Sequence, residues 1–491
     1  MTKTLNNKFN SLNCGLKTMI VNKYSSASKL PNEVNMAKEI AKTIKNLKYD
    51  LTSGDWFEYK KSEGKWQRLN RNQTDKEIFN LLMEHEDVKN RLTIDYRNRV
   101  RASLEMINGV DFEEYRKENR QSKLIPFKNG VLDLNTKELL NHNQNYYFTH
   151  NLNINFDPSA VLDQSMINFL CSISNNNPIV LKVLRSFIQC LLLRDNRFQV
   201  ALYLHGPGGT GKSTFERLLM SLVGSSNSTV LDLESLNRTF TTSKLVDKSL
   251  VLFSDVQGYT GEPSKLRLLI SGDSINAERK FKDSFDFQPD ALVILSSNLM
   301  WAPKDASTGL QRRVIYLPFT TVPDKIDRNL FNFNTTTNTY SGTLSNSLPG
   351  LVNWVLDNSE SNLNLLNNAY ETNKLISPNA IRDANPLVDW IKTYISYEEN
   401  NSVPIGRKTS DPKTHLYPHY LMFCKSYGFI PLPFPSFSSV LLQQITLLIS
   451  DNVNKKRISG GYVILNIKLN ENLLHEDIKD TTHYNILDEF K

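Results

Sequence analysis

The stretch that decides the fold runs from Ala201 to Thr214 and reads ALYLHGPGGTGKST. An apolar run, Ala201–His205, is followed directly by the pattern Gly-x-x-x-x-Gly-Lys-Ser, which is complete between residues 206 and 213. This pattern marks a phosphate-binding loop when it follows a strand and opens a helix, as it is expected to do here. The segment therefore predicts a nucleotide site in an α/β domain, with a fortuitous glycine turn as the alternative.

The residue types of this loop suit a nucleoside triphosphate and its magnesium ion. Glycines leave the backbone bare, so that successive N–H groups can surround a β-phosphate, and the following helix directs its positive end toward that phosphate. Lys212 is expected to reach the β- and γ-oxygens, and the Ser213 hydroxyl is an expected Mg²⁺ ligand. The predicted nucleotide-binding residues are Gly206, Pro207, Gly208, Gly209, Thr210, Gly211, Lys212, Ser213 and Thr214.

A second motif lies about forty residues further on, where the apolar run Leu250–Phe253 ends at Ser254 and Asp255. A carboxylate at this Walker B position either holds Mg²⁺ or polarises the attacking water. The usual Asp-Glu pair is missing, because Ser254 precedes the single acid. Asp255 is therefore predicted to be catalytic and a metal ligand, with the choice between the two roles open and a simple turn cap as the alternative.

Two further motifs follow. A third apolar strand, Ala291–Leu295, ends shortly before Asn298, whose amide can orient water against a γ-phosphate. A lone Asn after a strand is most often a cap, but its place after the other motifs favours the sensor role. Arg312 and Arg313 precede the next strand, where a planar cation suits a finger inserted into the nucleotide of a neighbouring subunit. A surface ion pair is the alternative for these arginines.

The compact order of these motifs resembles that of the superfamily 3 helicases, the AAA+ type found in small viruses, phages and plasmids. The resemblance implies ATP as the nucleotide. The segment Leu268–Lys282 is similar to the extra motif of that superfamily, a β-hairpin that carries basic residues into a central channel. Arg279, Lys280 and Lys282 flank Phe281, which suits phosphate and base contacts on single-stranded DNA. An exposed basic turn is the alternative.

More closely, the chain resembles the poxvirus- and phage-type primase–helicase family. The resemblance rests on Phe127–Leu134, in the domain before the helicase, and more weakly on Trp56–Trp66. In that family the strand-end acid is often a single Glu after a small residue, so Ser254-Asp255 departs mildly from the pattern. No Asp-x-Asp strand motif of a primase stands before residue 120, and primase activity is not carried over.

Composition sets broad limits. The 491 residues are 40% hydrophobic, which is enough for buried cores. A net charge of +7 permits nucleic acid as a partner without requiring it. The four cysteines are scattered, no apolar run is long enough to span a membrane, and no export signal opens the chain. We therefore expect an intracellular protein without a membrane partner. Abundant Asn, Lys and Ile suggest an AT-rich genome, such as that of a plastid, a plasmid or a virus.

The chain is expected to form several domains. The predicted fold class is α/β: an AAA+ phosphate-loop core with a parallel sheet, preceded by an α+β N-terminal domain and followed by a small winged-helix domain. The expected divisions are an N-terminal helical segment 1–50, an α+β domain 51–160, the ATPase core 161–330, a helical and linker region 331–400, a winged-helix domain 401–470 and a tail 471–491.

Local patterns predict several elements within these divisions. A helix is expected to open at Thr74–Glu77, which has capping-box spacing, and Asn129-Gly130 indicates a hairpin. Asn332–Ser347 is rich in Asn, Thr and Ser and indicates a loop or insertion, and a linker is expected at 398–413. Two helices and the basic hairpin Lys455–Ile464 suggest a winged helix on duplex DNA. A plain packing module is the alternative.

Three functions are compatible with these features. The first is a Mg²⁺-ATP-dependent DNA helicase that forms a ring, expected to be a hexamer, in replication of an organellar, plasmid or viral genome. The second is a degenerate replication-initiation protein that binds ATP and DNA without hydrolysis, motivated by the single acid Asp255. The third is a metabolic kinase, which would leave Asn298, the arginine pair and the basic hairpin unexplained.

Overall fold

The computed structural model describes residues 30–256, 263–278, 284–298, 310, 312–325, 327–376, 386–427, 431–459, 461–470 and 486–490. The predicted DNA-contacting residues Arg279, Lys280 and Lys282 lie outside these ranges. The chain divides into two compact units, of which the first ends at Tyr115 and the second begins at Arg116. None of the described helices combines the length and the apolar character that a bilayer crossing requires.

The first unit has an α+β architecture. In chain order its elements are α1 Glu33–Thr43, β1 Leu47–Asp50, β2 Asp55–Lys60, β3 Lys65–Arg68, α2 Arg71–Met83, α3 Glu86–Lys89, α4 Ile94–Ile107 and β4 Gly109–Val110. The strands form one sheet of order β3-β2-β1-β4, in which β1 and β4 are parallel. Ile40, Trp56 and Leu104 belong to its buried core. The expected boundary at residues 50 and 51 falls between paired strands, because Asp50 pairs with Asp55.

The start of α2 corrects one prediction. The helix begins at Arg71 rather than at Thr74, because Asn70 is its N-cap. The Asn70 side chain accepts from the Gln73 backbone N–H at 2.9 Å, and the Gln73 side chain accepts from the Asn70 backbone N–H at 2.8 Å. Asn caps a helix as well as Ser or Thr does, so the capping box exists but lies earlier in the chain than predicted.

The second unit opens with a small antiparallel sheet and two helices. Its first elements are α5 Phe112–Gln121, which crosses the unit boundary, then β5 Leu124–Phe127, β6 Gly130–Asp133, β7 Glu138–Leu140, α6 Gln164–Ile173 and α7 Pro178–Leu193. The predicted hairpin at Asn129-Gly130 is confirmed, because Phe127 and Gly130 are paired residues of β5 and β6. Helix α7 is capped by Asn177, with Pro178 at its first position, where the missing N–H costs nothing.

A five-stranded parallel sheet forms the centre of the second unit. The elements are β8 Ala201–His205, α8 Lys212–Val223, β9 Ser228–Leu231, β10 Leu250–Ser254, α9 Ser264–Ser271, β11 Ile275–Ala277, β12 Phe285–Phe287, β13 Leu292–Ser297 and β14 Val314–Pro318. The strand order is β14-β8-β13-β10-β9, with every neighbouring pair parallel. The predicted α/β fold with a parallel sheet, preceded by an α+β region, is confirmed.

Both faces of this sheet are buried, which is why its strands are almost wholly apolar. Along β8, Leu202 and Leu204 belong to one hydrophobic cluster, and Ala201 and Tyr203 belong to the other. This alternation is the two-residue period of a strand covered on both sides. The carboxyl ends of the strands meet at one edge, since His205 of β8 pairs with Ser297 of β13 and with Pro318 of β14.

The stretch from 332 to 376 returns to the core. It contains β15 Asn332–Asn334, β16 Thr339–Ser341, α10 Leu348–Leu356, α11 Glu360–Leu363 and α12 Ala369–Ile376. The prediction of a loop at Asn332–Ser347 is wrong in part, because β15 and β16 pair as a hairpin. Phe331 and Leu344 on either side of the hairpin are buried in the core, and these apolar residues hold a polar segment in an ordered form.

The C-terminal domain has its own core. Its elements are α13 Pro386–Tyr394, β17 Ile395–Pro404, α14 Leu416–Tyr427, α15 Phe434–Leu448, β18 Asn454–Ile458 and β19 Gly461–Leu469. The strands form an antiparallel sheet of order β17-β19-β18. The prediction of a linker at 398–413 is wrong in its first half, because β17 extends to Pro404. Trp390 of α13 packs in the same core as Ile464 of β19, so the domain begins earlier than residue 401.

Candidate nucleotide site

The phosphate loop connects the carboxyl end of β8 to the first residue of α8. Gly211 is the N-cap of α8 with φ +92°, and Gly206 has φ +143°. A Cβ added at Gly206 would lie 2.0 Å from the Phe319 carbonyl oxygen, and one at Gly211 would lie 2.9 Å from Ile173. Glycine is required at both positions by conformation and by close packing. The first N–H groups of α8, which lack helical partners, therefore stand at the loop, ready to bind an anion.

Lys212 lies across the loop to which it belongs. Its Nζ donates to the Gly206 carbonyl at 2.6 Å and to the Pro207 carbonyl at 2.9 Å. Burial lowers the pKa of this ammonium, while the nearby carboxylates of Glu216 and Asp255 act in the opposite direction. The cation is thus held over the loop, beside the first turn of α8.

A cavity of about 490 Å³ opens on the loop. Its size is within the usual range of small-molecule sites. One wall is the loop itself, a second is helix α6, and a third is the chain that follows β14. The lining residues outside the loop are Ser165, Asn168, Phe169, Ser172, Ile173, Asn298, Pro323, Lys325, Asp327 and Leu330. Apolar surface from α6 beside a phosphate loop suits a nucleotide, which has a flat base and a charged tail.

Asp255 and Asn298 are brought to the same sheet edge. The last residue of β10, Ser254, pairs with Ser296 of β13, so the residues that follow these two strands are neighbours. Asn298 is exposed and lines the cavity. Asp255 is exposed and has φ +54°, a left-handed conformation that costs a non-glycine residue about 1 kcal/mol. The structure therefore places three predicted site residues, Lys212, Asp255 and Asn298, at one edge.

The arginine pair lies at the opposite edge. The Ala201 N–H at the start of β8 donates to the Arg313 carbonyl at 2.7 Å, whereas the phosphate loop follows the other end of β8. Four residues of strand separate the two ends by roughly 13 Å. Burial lowers the pKa of Arg313, and Arg312 lowers it further, while Asp273 acts in the opposite direction. Within one chain, the structure does not bring Arg312 or Arg313 together with Lys212.

The predicted basic hairpin has paired strands at its base. Ile275 of β11 pairs with Phe287 of β12, and Ala277 pairs with Phe285. Ile275, Ala277 and Phe287 are buried in the core of the sheet. The two paired strands flank residues 279–283, which include the predicted DNA-contacting residues and lie outside the described part of the chain.

Comparisons with known proteins agree with this arrangement. Residues 36–175 match a family described as D5 N terminal like, and residues 204–313 match a family of unknown function, DUF5906. The protein named "Putative helicase 121R" of Invertebrate iridescent virus 3 is 28% identical over 228 residues, which are 43% of this chain and 24% of that protein. These matches support a place for the chain in the primase–helicase family of superfamily 3 helicases. The chain spans about a quarter of the length of that viral relative.

Other relatives of this chain are shorter matches. The uncharacterized mitochondrial protein ymf21 of Marchantia polymorpha is 30% identical over 126 residues, 23% of this chain and 70% of that protein. Initiator protein NS1 of porcine parvovirus is 26% identical over 111 residues, 23% of this chain and 16% of that protein. Among solved structures, the apo C-terminal region of NrS-1 has 12% identity and a TM-score of 0.49, covering 88% of this chain and 98% of that one.

Glu216 is an acidic residue of the candidate nucleotide site that the sequence motifs did not reveal. It lies one turn after Lys212 on α8, so both side chains project from the same face of the helix. Its carboxylate hydrogen-bonds with Ser296, the buried residue that pairs with Ser254. Burial raises the pKa of Glu216, Asp255 adds to the rise, and Ser296 and Lys212 oppose it. The site therefore contains a second carboxylate beside the single acid of the Walker B position.

Asn175 is a second residue at the candidate nucleotide site that the sequence motifs did not reveal. Its side-chain amide donates to the Pro318 carbonyl at 2.5 Å. Its Oδ1 accepts from the backbone N–H of Thr321 at 3.1 Å and from the Thr321 hydroxyl at 2.8 Å. These bonds attach the chain that follows β14 to the end of α6. Asn175 thereby fixes two walls of the cavity relative to each other.

The oxygen donors of the candidate site fit a magnesium ion in combination with a nucleotide. The described residues contain no cluster of three or more His, Cys, Asp or Glu side chains that could hold a metal on its own. Mg²⁺ is commonly held by one or two protein oxygens together with substrate phosphates and water. Ser213, in the first turn of α8, and Asp255 are hard oxygen donors at the correct sheet edge, so these residues fit the ion in this mode.

Proposed function

We propose that this protein is an ATP-dependent DNA helicase that requires Mg²⁺ and acts as a ring during replication of an organellar, plasmid or viral genome. One observation carries the proposal: Lys212, Asp255 and Asn298 lie at one edge of the sheet, and Arg312 and Arg313 lie at the other. A site that is divided between two edges of one chain can be completed by a second copy, in which the far edge of one subunit faces the loop of the next.

The order of the strands supports an AAA+ core. Strand β13 lies between β8 and β10, so Asn298 follows the strand between the phosphate loop and Asp255. An amide at that place can hold a water near both the γ-phosphate and the carboxylate. The nucleotide residues 206–214 would bind ATP, with Lys212 on the β- and γ-oxygens and with Ser213 and Asp255 as the Mg²⁺ ligands. The bound ion would neutralise charge on those oxygens.

Hydrolysis would use these side chains in defined roles. Asn298 orients the attacking water, whose oxygen forms a bond to the γ-phosphorus as the bond to the bridging β-oxygen breaks. The proton that the water loses goes to a carboxylate, for which Asp255 and Glu216 are the candidates. Arg312 or Arg313 of the neighbouring subunit stabilises the charge that develops on the γ-oxygens. A hexamer is the proposed ring, and the arginines couple its subunits.

DNA contacts are proposed at two places. The hairpin anchored by β11 and β12 would carry Arg279, Lys280 and Lys282 to single-stranded DNA in the channel of the ring. The C-terminal order of helix, strand, two helices and a two-stranded hairpin, with β19 paired to β17, supports a winged-helix domain on duplex DNA. The alternative, an initiation protein that binds ATP without hydrolysis, is favoured by the single acid of Ser254-Asp255. The position of Glu216 weakens that alternative.

The decisive experiment is an ATPase assay of the purified chain with and without single-stranded DNA. We expect Mg²⁺-dependent turnover that DNA increases, and we expect Lys280→Ala to lose this stimulation while it keeps the basal rate. Each lost phosphate contact on a single strand should also flatten the plot of log affinity against log salt by about 0.7. Nucleotide binding without turnover under all conditions would favour the degenerate initiator. If DNA still stimulates the ATPase activity of Lys280→Ala and the salt slope of its DNA binding is unchanged, the hairpin does not contact the DNA.

A further inference from the structure

The C-terminal domain concentrates its positive charge at one end of its sheet. Between residues 386 and 470 the sequence has nine Lys and Arg against five Asp and Glu. Two short segments, the loop 406–413 and the wing 454–462, hold most of these cations and only one acid, Asp411. The cations of the two segments, which together form the cationic face, are Arg407, Lys408, Lys413, Lys455, Lys456 and Arg457.

The loop and the wing are neighbours in space although about fifty residues separate them in the sequence. The Ile405 N–H at the end of β17 donates to the Tyr462 carbonyl at 2.9 Å. Tyr462 is in turn paired with Arg457 across the β18–β19 hairpin. Arg407 follows Ile405 by two residues, which is at most about 7 Å of extended chain. The cationic face is therefore continuous across the end of the sheet.

One of the six cations fixes the wing in place. The Lys455 ammonium donates to the Ser438 carbonyl at 3.1 Å and to the Ser438 hydroxyl at 3.0 Å, and it lies 4.7 Å from the centre of the Tyr462 ring. Because Ser438 belongs to α15, Lys455 connects the wing to that helix. The wing is thus held in a defined orientation, and its other cations are presented on a rigid support.

The five other cations are exposed, and no ion pair joins any of them to a carboxylate within the described residues. Basic side chains elsewhere are neutralised inside the fold: in the first unit, Arg99 pairs with Glu33 at 2.8 Å and Arg101 pairs with Asp75 at 3.0 Å. At the other end of the C-terminal sheet, Lys468 lies 3.8 Å from Glu398. Within the described residues, these five cations therefore differ from Arg99, Arg101 and Lys468 in forming no ion pair with a carboxylate.

The helix next to the wing supplies no positive charge. Helix α15 has the sequence FPSFSSVLLQQITLL, without Lys or Arg, and its exposed residues include Ser439 and Gln443. A helix that leads recognition in a DNA groove usually brings Arg or Lys to base edges or to the flanking phosphates. In this domain the charge is on the wing and the loop instead, which favours contact with phosphates over contact with bases.

We propose that the cationic face binds the phosphate backbone of duplex DNA without selecting a base sequence. The choice of DNA as the partner rests on the proposed helicase function, whereas the surface and its mode of contact are inferred from the charges above. Exposed cations without carboxylate partners on an ordered hairpin and its neighbouring loop suit a duplex, whose backbone carries one charge per roughly 1.7 Å of axis.

The test uses the full chain and two fluorescent duplexes of unrelated sequence, titrated at several salt concentrations. Lys456→Ala/Arg457→Ala removes two charges from the cationic face. Lys425→Ala/Lys468→Ala removes two charges from elsewhere in the same domain and is the matched control. We expect the first variant to bind both duplexes more weakly, by roughly tenfold per lost contact at 0.1 M salt, and to lose about 0.9 per contact from the salt slope. The control variant should match the parent, and basal ATPase should be unchanged in both variants.

Several outcomes would overturn the proposal. The first is an equal salt slope in the two double variants, and the second is a loss of affinity for only one of the two duplex sequences. The third is a loss of affinity for single strands but not for duplexes, and the fourth is a parent chain that binds no duplex. The outcome for the proposed function is separate. A parent without ATPase activity that still shows wing-dependent binding would end the helicase proposal and leave the cationic face in place.

Discussion

The two edges of the parallel sheet differ in chemistry although the same strands reach both. At the carboxyl edge, the phosphate loop, Asp255 and Asn298 follow three adjacent strands, and Glu216 lies behind them on α8. At the amino edge, Arg313 precedes β14 and carries a charge that no phosphate loop of its own chain can reach. Groups that are fixed at opposite ends of a strand cannot contact one nucleotide, so the two edges of one chain have separate roles. Under the proposed function, the carboxyl edge binds the nucleotide and the amino edge serves a neighbouring subunit.

The largest expected effect is at the carboxyl edge. Lys212→Ala removes the cation that is held over the loop by the Gly206 and Pro207 carbonyls. We expect ATP turnover to fall at least 100-fold, since one charge that stabilises the transition state is lost. Lys244→Ala, which removes an exposed lysine of the same unit, is the control and should keep the parental rate. Thermal unfolding shows whether Lys212→Ala is folded. Normal ATPase activity in a folded Lys212→Ala protein would mean that the loop is not part of the nucleotide site.

The second effect tests the amino edge. Arg312→Ala and Arg313→Ala are each expected to lose most ATPase activity when alone. Mixing either variant with Lys212→Ala in equal amounts should restore part of it, because about a quarter of the interfaces in randomly mixed rings would have both an intact loop and intact arginines. Co-purification of differently tagged chains would show that mixed rings form. If such rings stay inactive at every ratio, the two edges do not share a site.

The site residues that could be predicted from the sequence are those that stand next to a recognisable pattern in the sequence. The loop, Asp255 and Asn298 each follow an apolar run directly, and in a parallel sheet the ends of such runs must meet at one edge. Glu216 gave no such signal, because a glutamate in a helix is ordinary. Its place in the site is shown by its hydrogen bond with Ser296, which is eighty residues away in the sequence. Asn175 was missed for the same reason, because its partners Pro318 and Thr321 are distant in sequence.

The same limit applies to the fold. Strand β17 has the sequence ISYEENNSVP, which contains two glutamates and two asparagines and does not indicate a strand. Pairing with the apolar β19 makes it a strand, in a register interrupted by a bulge between Tyr397 and Ser402. The central strands were predictable because both of their faces are buried, so that they are almost wholly apolar. An edge strand with one exposed face carries no comparable pattern.

A third and smaller effect tests whether Glu216 contributes to ATP hydrolysis at the carboxyl edge in addition to Asp255. Glu216→Gln keeps the shape of the side chain and a hydrogen bond to Ser296 but removes the negative charge near Lys212. We expect kcat to fall roughly tenfold with little change in the KM for ATP, less than a lost general base would cost. Glu234→Gln, at an exposed position, should match the parent. A change in KM alone would assign Glu216 to nucleotide binding, and thermal unfolding separates either result from loss of the fold.

The smallest effect concerns His205, the last residue of β8 before the loop. Burial lowers the pKa of His205 to about 4, and the Lys212 charge adds to the shift. Between pH 6.5 and pH 4, His205 therefore binds a proton in the unfolded chain but not in the folded chain. The free energy of unfolding consequently falls as the pH falls through this window. From pH 7 to pH 5 this one group should remove about 1–2 kcal/mol. His205→Gln cannot take up that proton, and its unfolding free energy, measured in urea, should fall less than that of the parent over the same range. Parallel curves for the two proteins would mean that His205 titrates alike in both states, and the lowering of its pKa by burial and by Lys212 would then have to be abandoned.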